Sequence, residues 1–170
     1  MFEVGCGNGS VANWLHSRGL HATGIDSSES GIQQAKWAYP KLELSLGSAY
    51  DDLVAKHGAF PVVISLEVVE HLYSPRVFAN TLFNLLEPGG TAIISTPYHG
   101  YFKNLALALS GRFDAHFSAL WDGGHIKFWS PRTLARLLVE SGFMNLHFYR
   151  VGRIPPFAKS MIVTAEKPRS

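Results

Sequence analysis

Short apolar bursts alternate with amphipathic stretches along most of the chain, the pattern of βα units laid against a parallel sheet. Phe2 to Val4 reads as the first strand, followed by a helix from about Gly9 to Ser17 that ends at Gly19. His21 to Ile25 is a second strand, stopping at Asp26. Ser27 or Ser28 can cap the next helix, which carries Ile32, Ala35 and Trp37 and ends before Pro40. Leu42 to Leu46 alternates as a third strand, and Asp52 to Lys56 is a weak helix. Pro61 to Leu66 is a continuous apolar run, expected as a central strand buried on both faces. Ser74-Pro75 starts a helix carrying Val77, Phe78, Leu82 and Leu85, which Glu87-Pro88-Gly89-Gly90 ends. Thr91 to Ser95 is the fifth strand.

Past that strand the rhythm breaks. Residues 98–129 hold Tyr98, Tyr101, Phe102, Phe113, Phe117, Trp121, Phe128 and Trp129, together with His99, His116 and His125. Such a long connection in a compact domain reads as functional, and its aromatic content argues against disorder. It is expected to form a substrate lid around an apolar or aromatic pocket. A core-capping or dimer-forming insertion is the competing reading, with a short helix from Tyr101 to Leu109 presenting leucines to a second subunit. Ser130-Pro131 then starts a helix with Leu134, Leu137 and Leu138 on one face, closed by Gly142. Leu146 to Val151 and Met161 to Ala165 are the last strands. Only a Pro155-Pro156 loop joins them, so they are expected to be antiparallel.

Composition narrows the class. The 170 residues suit one domain spanning 1–170, large enough for a real core. Hydrophobic residues make up 46% and charged residues 16%, as in an ordinary globular protein. Fifteen Lys and Arg against thirteen Asp and Glu leave a net charge of +2 with no basic cluster, so no nucleic-acid partner is expected. Cys6 is the only cysteine, so an internal disulfide is impossible and a cytoplasmic location is the expectation. No signal peptide and no apolar run of transmembrane length is found.

The chemistry starts at Glu3-Val4-Gly5-Cys6-Gly7-Asn8-Gly9, where a strand runs through a glycine turn into a helix start. Glycine lets a cofactor approach the backbone, and a helix start offers free N–H groups. The dinucleotide fingerprint wants its third glycine at the sixth position, which here is Ser10. Gly9 comes one residue early, favouring S-adenosylmethionine over a nicotinamide cofactor. Asp26, at the tip of the second strand, can accept hydrogen bonds from two ribose hydroxyls. An ordinary tight strand-to-helix turn is the bland alternative.

Later stretches decide between them. GIDSS follows at the second strand end, GSAYDD at the third, SLEVVEHL at the fourth, and LLEPGGTAIISTP leads through the fifth. In this order and spacing the chain resembles the class I S-adenosylmethionine-dependent methyltransferases over essentially its whole length. Within them it looks most similar to the ubiquinone-type O-methyltransferases, whose Glu-x-x-Glu-His motif is matched by Glu67-Val68-Val69-Glu70-His71. His125-x-Lys127-Phe128-x-Ser130-Pro131 matches them too, whereas the stretch from Gly152 to Met161 does not.

The resemblance implies a Rossmann-like, doubly wound α/β sheet of order 3-2-1-4-5-7-6 with strand 7 antiparallel. It implies methyl transfer from S-adenosylmethionine to a small acceptor, on an oxygen of an aromatic or apolar compound. Glu3, Gly5, Cys6, Gly7 and Asn8 would line the amino-acid and sulfonium end, and Asp26 would hold the ribose. Ser27, Ser48, Ala49, Leu66 and Glu67 would flank the rest of the cofactor. His71 is the candidate base, with His99, His116 and His125 as rivals. Glu67, Glu70 and His71 would hold a divalent metal such as Mg. A histidine packed near the pocket, with the acid meeting the cofactor backbone, is the metal-free alternative. Cys6 sits where thiolate character is favoured, yet in this family it is a turn residue. Relatives carry lead-in helices before the first strand, and without them an open cofactor site is expected. A homodimer stays open, as do a non-catalytic cofactor-binding protein and a nicotinamide-dependent oxidoreductase.

Overall fold

A computed structural model describes residues 1–117, 120–153 and 158–169. The strands are β1 (Phe2–Val4), β2 (Thr23–Asp26), β3 (Glu43–Leu46), β4 (Phe60–Leu66), β5 (Leu86–Pro97), β6 (Met144–Val151) and β7 (Ser160–Glu166). Between them run α1 (Ser10–His16), α2 (Glu29–Ala38), α3 (Leu53–His57), α4 (Pro75–Leu85), α5 (Tyr101–Leu109), α6 (Phe113–Phe117) and α7 (Pro131–Glu140). The sheet has seven strands in the order β3-β2-β1-β4-β5-β7-β6. β1 to β5 pair in parallel, and β7 is antiparallel to both β5 and β6. The expected order and closing hairpin are therefore present. The Pro155-Pro156 connection lies outside the described residues.

Successive strand residues face opposite sides, and the core divides accordingly. Phe2, Val4, Val63 and Ile94 pack with Phe78, Leu82, Leu134 and Leu138 of α4 and α7. Ile64, one residue past Val63, packs on the other side with Ala12 and Leu15 of α1 and Ile32 and Ala35 of α2. Ser65, the one hydroxyl in the β4 run, is fully buried and donates to the Val4 carbonyl at 2.8 Å. That bond ties the centre of the sheet together without an orphaned polar atom.

Helix starts follow local chemistry. The Ser28 hydroxyl accepts from the Gly31 N–H at 3.1 Å, making Ser28 the cap of α2. Ser130 and Thr133 form a reciprocal capping box at α7. Two expectations need correction. Trp37 is 88% exposed, because it lies two residues after Ala35 and so off the buried face of α2. Leu86 pairs with Phe60, so the Glu87–Gly90 stretch is strand with a register shift rather than only a helix end. The one-turn helix α6 carried no periodicity to announce it. α5 spans the expected residues, with Leu105 and Leu109 exposed.

Candidate active site

The carboxyl ends of β1, β2, β3 and β4 open onto a cavity of about 590 Å³, large enough for a nucleotide-sized ligand. In parallel sheets ligands gather at this edge, where neighbouring strands send their chains to opposite faces. Gly5, Gly7, Asp26, Ser27, Ser48, Ala49, Leu66 and Glu67 line it. The glycine turn is shaped by sterics. Gly5 has φ +86° and any Cβ there would run into the Val68 side chain. Gly7 has φ +52° and faces open space, so its backbone is presented bare to the cavity.

Asp26 organises this wall. Its Oδ2 accepts from the Gly7 N–H at 2.8 Å and its Oδ1 from the Ser28 N–H at 2.7 Å. One carboxylate thereby fixes the turn after β1 and the entry to α2, and each oxygen keeps lone-pair capacity towards the cavity.

Glu3, Cys6 and Asn8 do not line the cavity. Glu3 alternates with Phe2 and Val4 and is buried on the opposite side of β1, beneath the turn, where Gly24 leaves room for it. Burial, with the charge of Asp26 added, pushes its carboxyl up to about 7, and its Oε2 has no hydrogen-bond partner. Cys6 is buried against Ala12 and Leu15, and burial, with Glu3 and Asp26 adding to it, pushes its thiol up to about 12. The thiolate character suggested by its place before α1 is thus reversed. Asn8 is exposed, and its side chain accepts from the Ser10 N–H at 3.3 Å.

The strand-end sequence after β4 carries the second group. Glu67 has φ +55°, rare for a non-glycine residue. Ser95 of β5 holds it there: Glu67 N–H donates to the Ser95 carbonyl and hydroxyl oxygens, both at 3.1 Å, and the Ser95 hydroxyl donates back to Glu67 Oε1 at 2.7 Å. Glu70 is 1% exposed. Neither of its oxygens makes a well-formed hydrogen bond, although its own N–H and the Thr96 hydroxyl lie near enough to favour its charge slightly. Burial, reinforced by Glu67, wins and pushes the carboxyl up to about 7. His71 lines the cavity, and its Nδ1 lies 2.7 Å from the Gly123 carbonyl oxygen. A carbonyl only accepts, so Nδ1 donates, which in a neutral ring leaves the lone pair on Nε2.

A smaller cavity of about 120 Å³ lies between Pro97, His99, Lys103, His116, Phe117, Trp121, His125 and Phe128. All its walls but Pro97 come from the aromatic segment. His125 joins it to the first cavity, since the rings of His71 and His125 stand 4.8 Å apart. Burial and the charges of Lys103, His116 and His125 push His99 down to about 4; burial is also the main cause lowering His116 and His125. Neutral imidazoles therefore line this space at physiological pH.

The expected metal set is only partly gathered. Glu70 and His71 come together with His125, while Glu67 is held by Ser95. In the sequence His125 stands out as a rival base and as the start of the His125-x-Lys127-Phe128 match, with nothing to mark it as a partner of Glu70. Sequence reasoning passed over Tyr50 and Leu72, which line the larger cavity. The Tyr50 hydroxyl accepts from the Ser74 N–H at 3.0 Å, so its ring bridges β3 to the start of α4. Its position inside GSAYDD was the available signal.

Comparison with known proteins places this geometry in context. The sequence model described as a methyltransferase domain matches residues 1–147. A ubiquinone biosynthesis O-methyltransferase of Psychrobacter arcticus is 27% identical over 188 aligned positions, covering 100% of this chain and 72% of that protein. One from Caulobacter sp. strain K31 is 35% identical over 115 positions, covering 65% of this chain and 45% of that protein. The chain thus spans between about half and three quarters of the curated relatives named here. Among solved structures, an S-adenosylmethionine-dependent methyltransferase from Archaeoglobus fulgidus superposes with a TM-score of 0.75 at 16% identity, covering 98% of this chain and 85% of that one. One from Mesorhizobium loti gives 0.74 at 17%, covering 98% and 89%. No helix among the described residues is long and apolar enough to cross a membrane.

Proposed function

Because the chain belongs to the methyltransferase domain family, we propose that it transfers a methyl group from S-adenosylmethionine to an oxygen of a small aromatic or apolar acceptor. The names of the similar ubiquinone biosynthesis O-methyltransferases favour oxygen as the target atom. The observation that carries the reading is the position of His71. It lines the nucleotide-sized cavity, and its ring meets His125 of the aromatic one.

The residues present fit the cofactor. The bare backbone at Gly7 leaves room that a Cβ would take, and Asp26 keeps acceptor capacity for hydroxyls. Leu66, Ala49 and Tyr50 offer apolar surface to a flat base, with Ser27 and Ser48 beside them. When bound, S-adenosylmethionine supplies a methyl already activated on its sulfonium. The protein's task is then alignment and exclusion of water. We read the described residues of the 98–129 segment as the lid that performs both on the acceptor side, with Phe117 and Phe128 shaping a slot for one ring.

On this reading His71 Nε2 takes the proton of an acceptor hydroxyl, and the contact of Nδ1 with the Gly123 carbonyl supports the tautomer that this needs. The family likeness also implies a divalent cation. Glu70 and His71 fit it, since both Glu70 oxygens are buried without a well-formed hydrogen bond; Glu67, with one oxygen bonded to Ser95, fits it less well. Such a cation would lower the pKa of a nearby hydroxyl. A ring nitrogen that holds a cation cannot also accept a proton, so the two roles of His71 are alternatives.

A methyl-transfer screen with catechols, quinols and simple phenols, read by release of S-adenosylhomocysteine, tests the proposal. Turnover on at least one phenolic acceptor is expected. Tight cofactor binding with no turnover on any acceptor would contradict it and favour a non-catalytic binding protein.

A further inference from the structure

The structure gathers around Glu70 a set of donors different from the Glu-x-x-Glu-His triad. Glu70 sits fully inside the protein with both oxygens lacking well-formed partners. A buried carboxylate in that state is costly unless a cation or donor arrives. His71 is oriented for such an arrival. Its Nδ1 proton is engaged by Gly123, and its Nε2 lone pair lies 4.0 Å from Glu70 Oε1. Metal-binding histidines are typically oriented in this way, through a hydrogen bond from the other ring nitrogen.

The third donor comes from far along the chain. Donor atoms of Glu70, His71 and His125 all lie within 4.8 Å of one another. Two nitrogens bound to one tetrahedral ion stand about 3.4 Å apart, so side-chain rotations that draw the donors roughly an ångström closer complete the set. The backbone holds the two segments in register. The N–H groups of Ile126 and Lys127 both donate to the Glu70 carbonyl at 2.9 Å, and Trp129 Nε1 donates to the Val69 carbonyl at 3.3 Å. Glu67, by contrast, spends Oε1 on Ser95 and its backbone N–H on the same residue.

We propose that Glu70, His71 and His125 form a cation site of two imidazoles and one carboxylate, suited to a borderline transition ion such as Zn(II) or Co(II) rather than Mg(II). Imidazole donors favour such ions, whereas Mg(II) demands oxygen ligands and keeps its waters. The site rests on side-chain geometry rather than on the methyl-transfer reading; with the ion bound His71 Nε2 is its ligand, and only in the metal-free chain can that atom take a proton. It clips the aromatic segment to the turn after β4, at the border of the two cavities.

Titration of the metal-free chain with Co(II), followed by visible absorption and calorimetry, tests it. One Co(II) per chain is expected, with bands of a nitrogen-ligated, low-coordinate ion, displaced by Zn(II) but not by millimolar Mg(II). His125→Ala should weaken Co(II) binding by about tenfold or more, and Glu67→Gln should leave it within about twofold. Should His125→Ala fail to fold, ring-nitrogen NMR of the unaltered chain gives a second reading: Zn(II) should shift two of the eight histidines. The proposal is overturned if Co(II) keeps its hydrated spectrum, if Zn(II) shifts no histidine pair, if Mg(II) competes on equal terms, or if Glu67→Gln costs as much as His125→Ala. A titration with S-adenosylmethionine run alongside keeps this result separate from the fate of the methyl-transfer reading.

Discussion

The Gly7 N–H donates to Asp26 Oδ2 at 2.8 Å, and this bond ties the glycine turn after β1 to the tip of β2. The two residues are nineteen positions apart and meet only because β1 and β2 pair in parallel, Val4 beside Ile25. Asp26 therefore has a double task, shaping the turn and presenting acceptors to the cavity. Asp26→Ala should lower affinity for S-adenosylmethionine by about one to two orders of magnitude, the scale of hydrogen bonds to a charged group. Calorimetric titration checks this, and an unchanged affinity would remove Asp26 from the ribose role.

Gly5 and Gly7 should separate folding from binding. Gly5→Ala meets the Val68 side chain at a positive φ, so it should cost several kcal/mol of stability. Gly7→Ala meets nothing and should cost only about 1 kcal/mol, yet it puts a methyl where the cofactor approaches. Thermal melts with and without S-adenosylmethionine should show Gly7→Ala losing the ligand-induced stabilisation while keeping most of its own.

Glu3 makes stability depend on pH. Its carboxyl is raised in the folded chain from an ordinary 4.5 to about 7, first by burial and then by Asp26. Between those values the folded state holds more protons than the unfolded one, so stability falls as pH rises through the window. Below it the penalty is absent, and above it the penalty is full, up to about 3 kcal/mol. Glu3→Gln should flatten that slope and stabilise the chain at pH 8 while changing little at pH 4. Urea unfolding at both pH values reads the difference.

How far these relations were legible beforehand depends on their range. The βα alternation and the closing hairpin could be read because each rests on local periodicity, and strand order came with the family likeness. Trp37 was misjudged because an apolar residue two places past Ala35 lies off the helix stripe. The strand start at Leu86 is masked by the turn residues after it: Leu86 pairs with Phe60, and the stretch to Thr91 is an irregularity with Gly89 at φ +79°. In the site, Glu67 enters the metal set only through the family likeness. Its partner Ser95 is 28 residues away, and that bond occupies its Oε1. His125 approaches Glu70 through backbone bonds across a segment with no regular period.

Lys167 offers a control remote from the cavity. Its Nζ donates to the Phe83 and Leu86 carbonyls at 2.9 and 2.7 Å, capping the end of α4 with a cation. Lys167→Met should destabilise the fold by about 1–2 kcal/mol in denaturant titration and leave cofactor affinity unchanged.

His71 separates binding from chemistry. His71→Asn should cut methyl transfer by about two to four orders of magnitude at saturating cofactor, while affinity for S-adenosylmethionine changes by no more than a few-fold. Single-turnover rates alongside the titration make the comparison.

The central claim is that the cavity bounded by Gly5, Gly7, Asp26 and Ala49 holds S-adenosylmethionine. Calorimetric titration of the chain with that cofactor tests it most directly. Saturable binding of one molecule per chain, in the micromolar range or about −8 kcal/mol, and abolished by Gly7→Ala, is the predicted result. No binding at millimolar cofactor, or binding indifferent to Gly7→Ala, would contradict it.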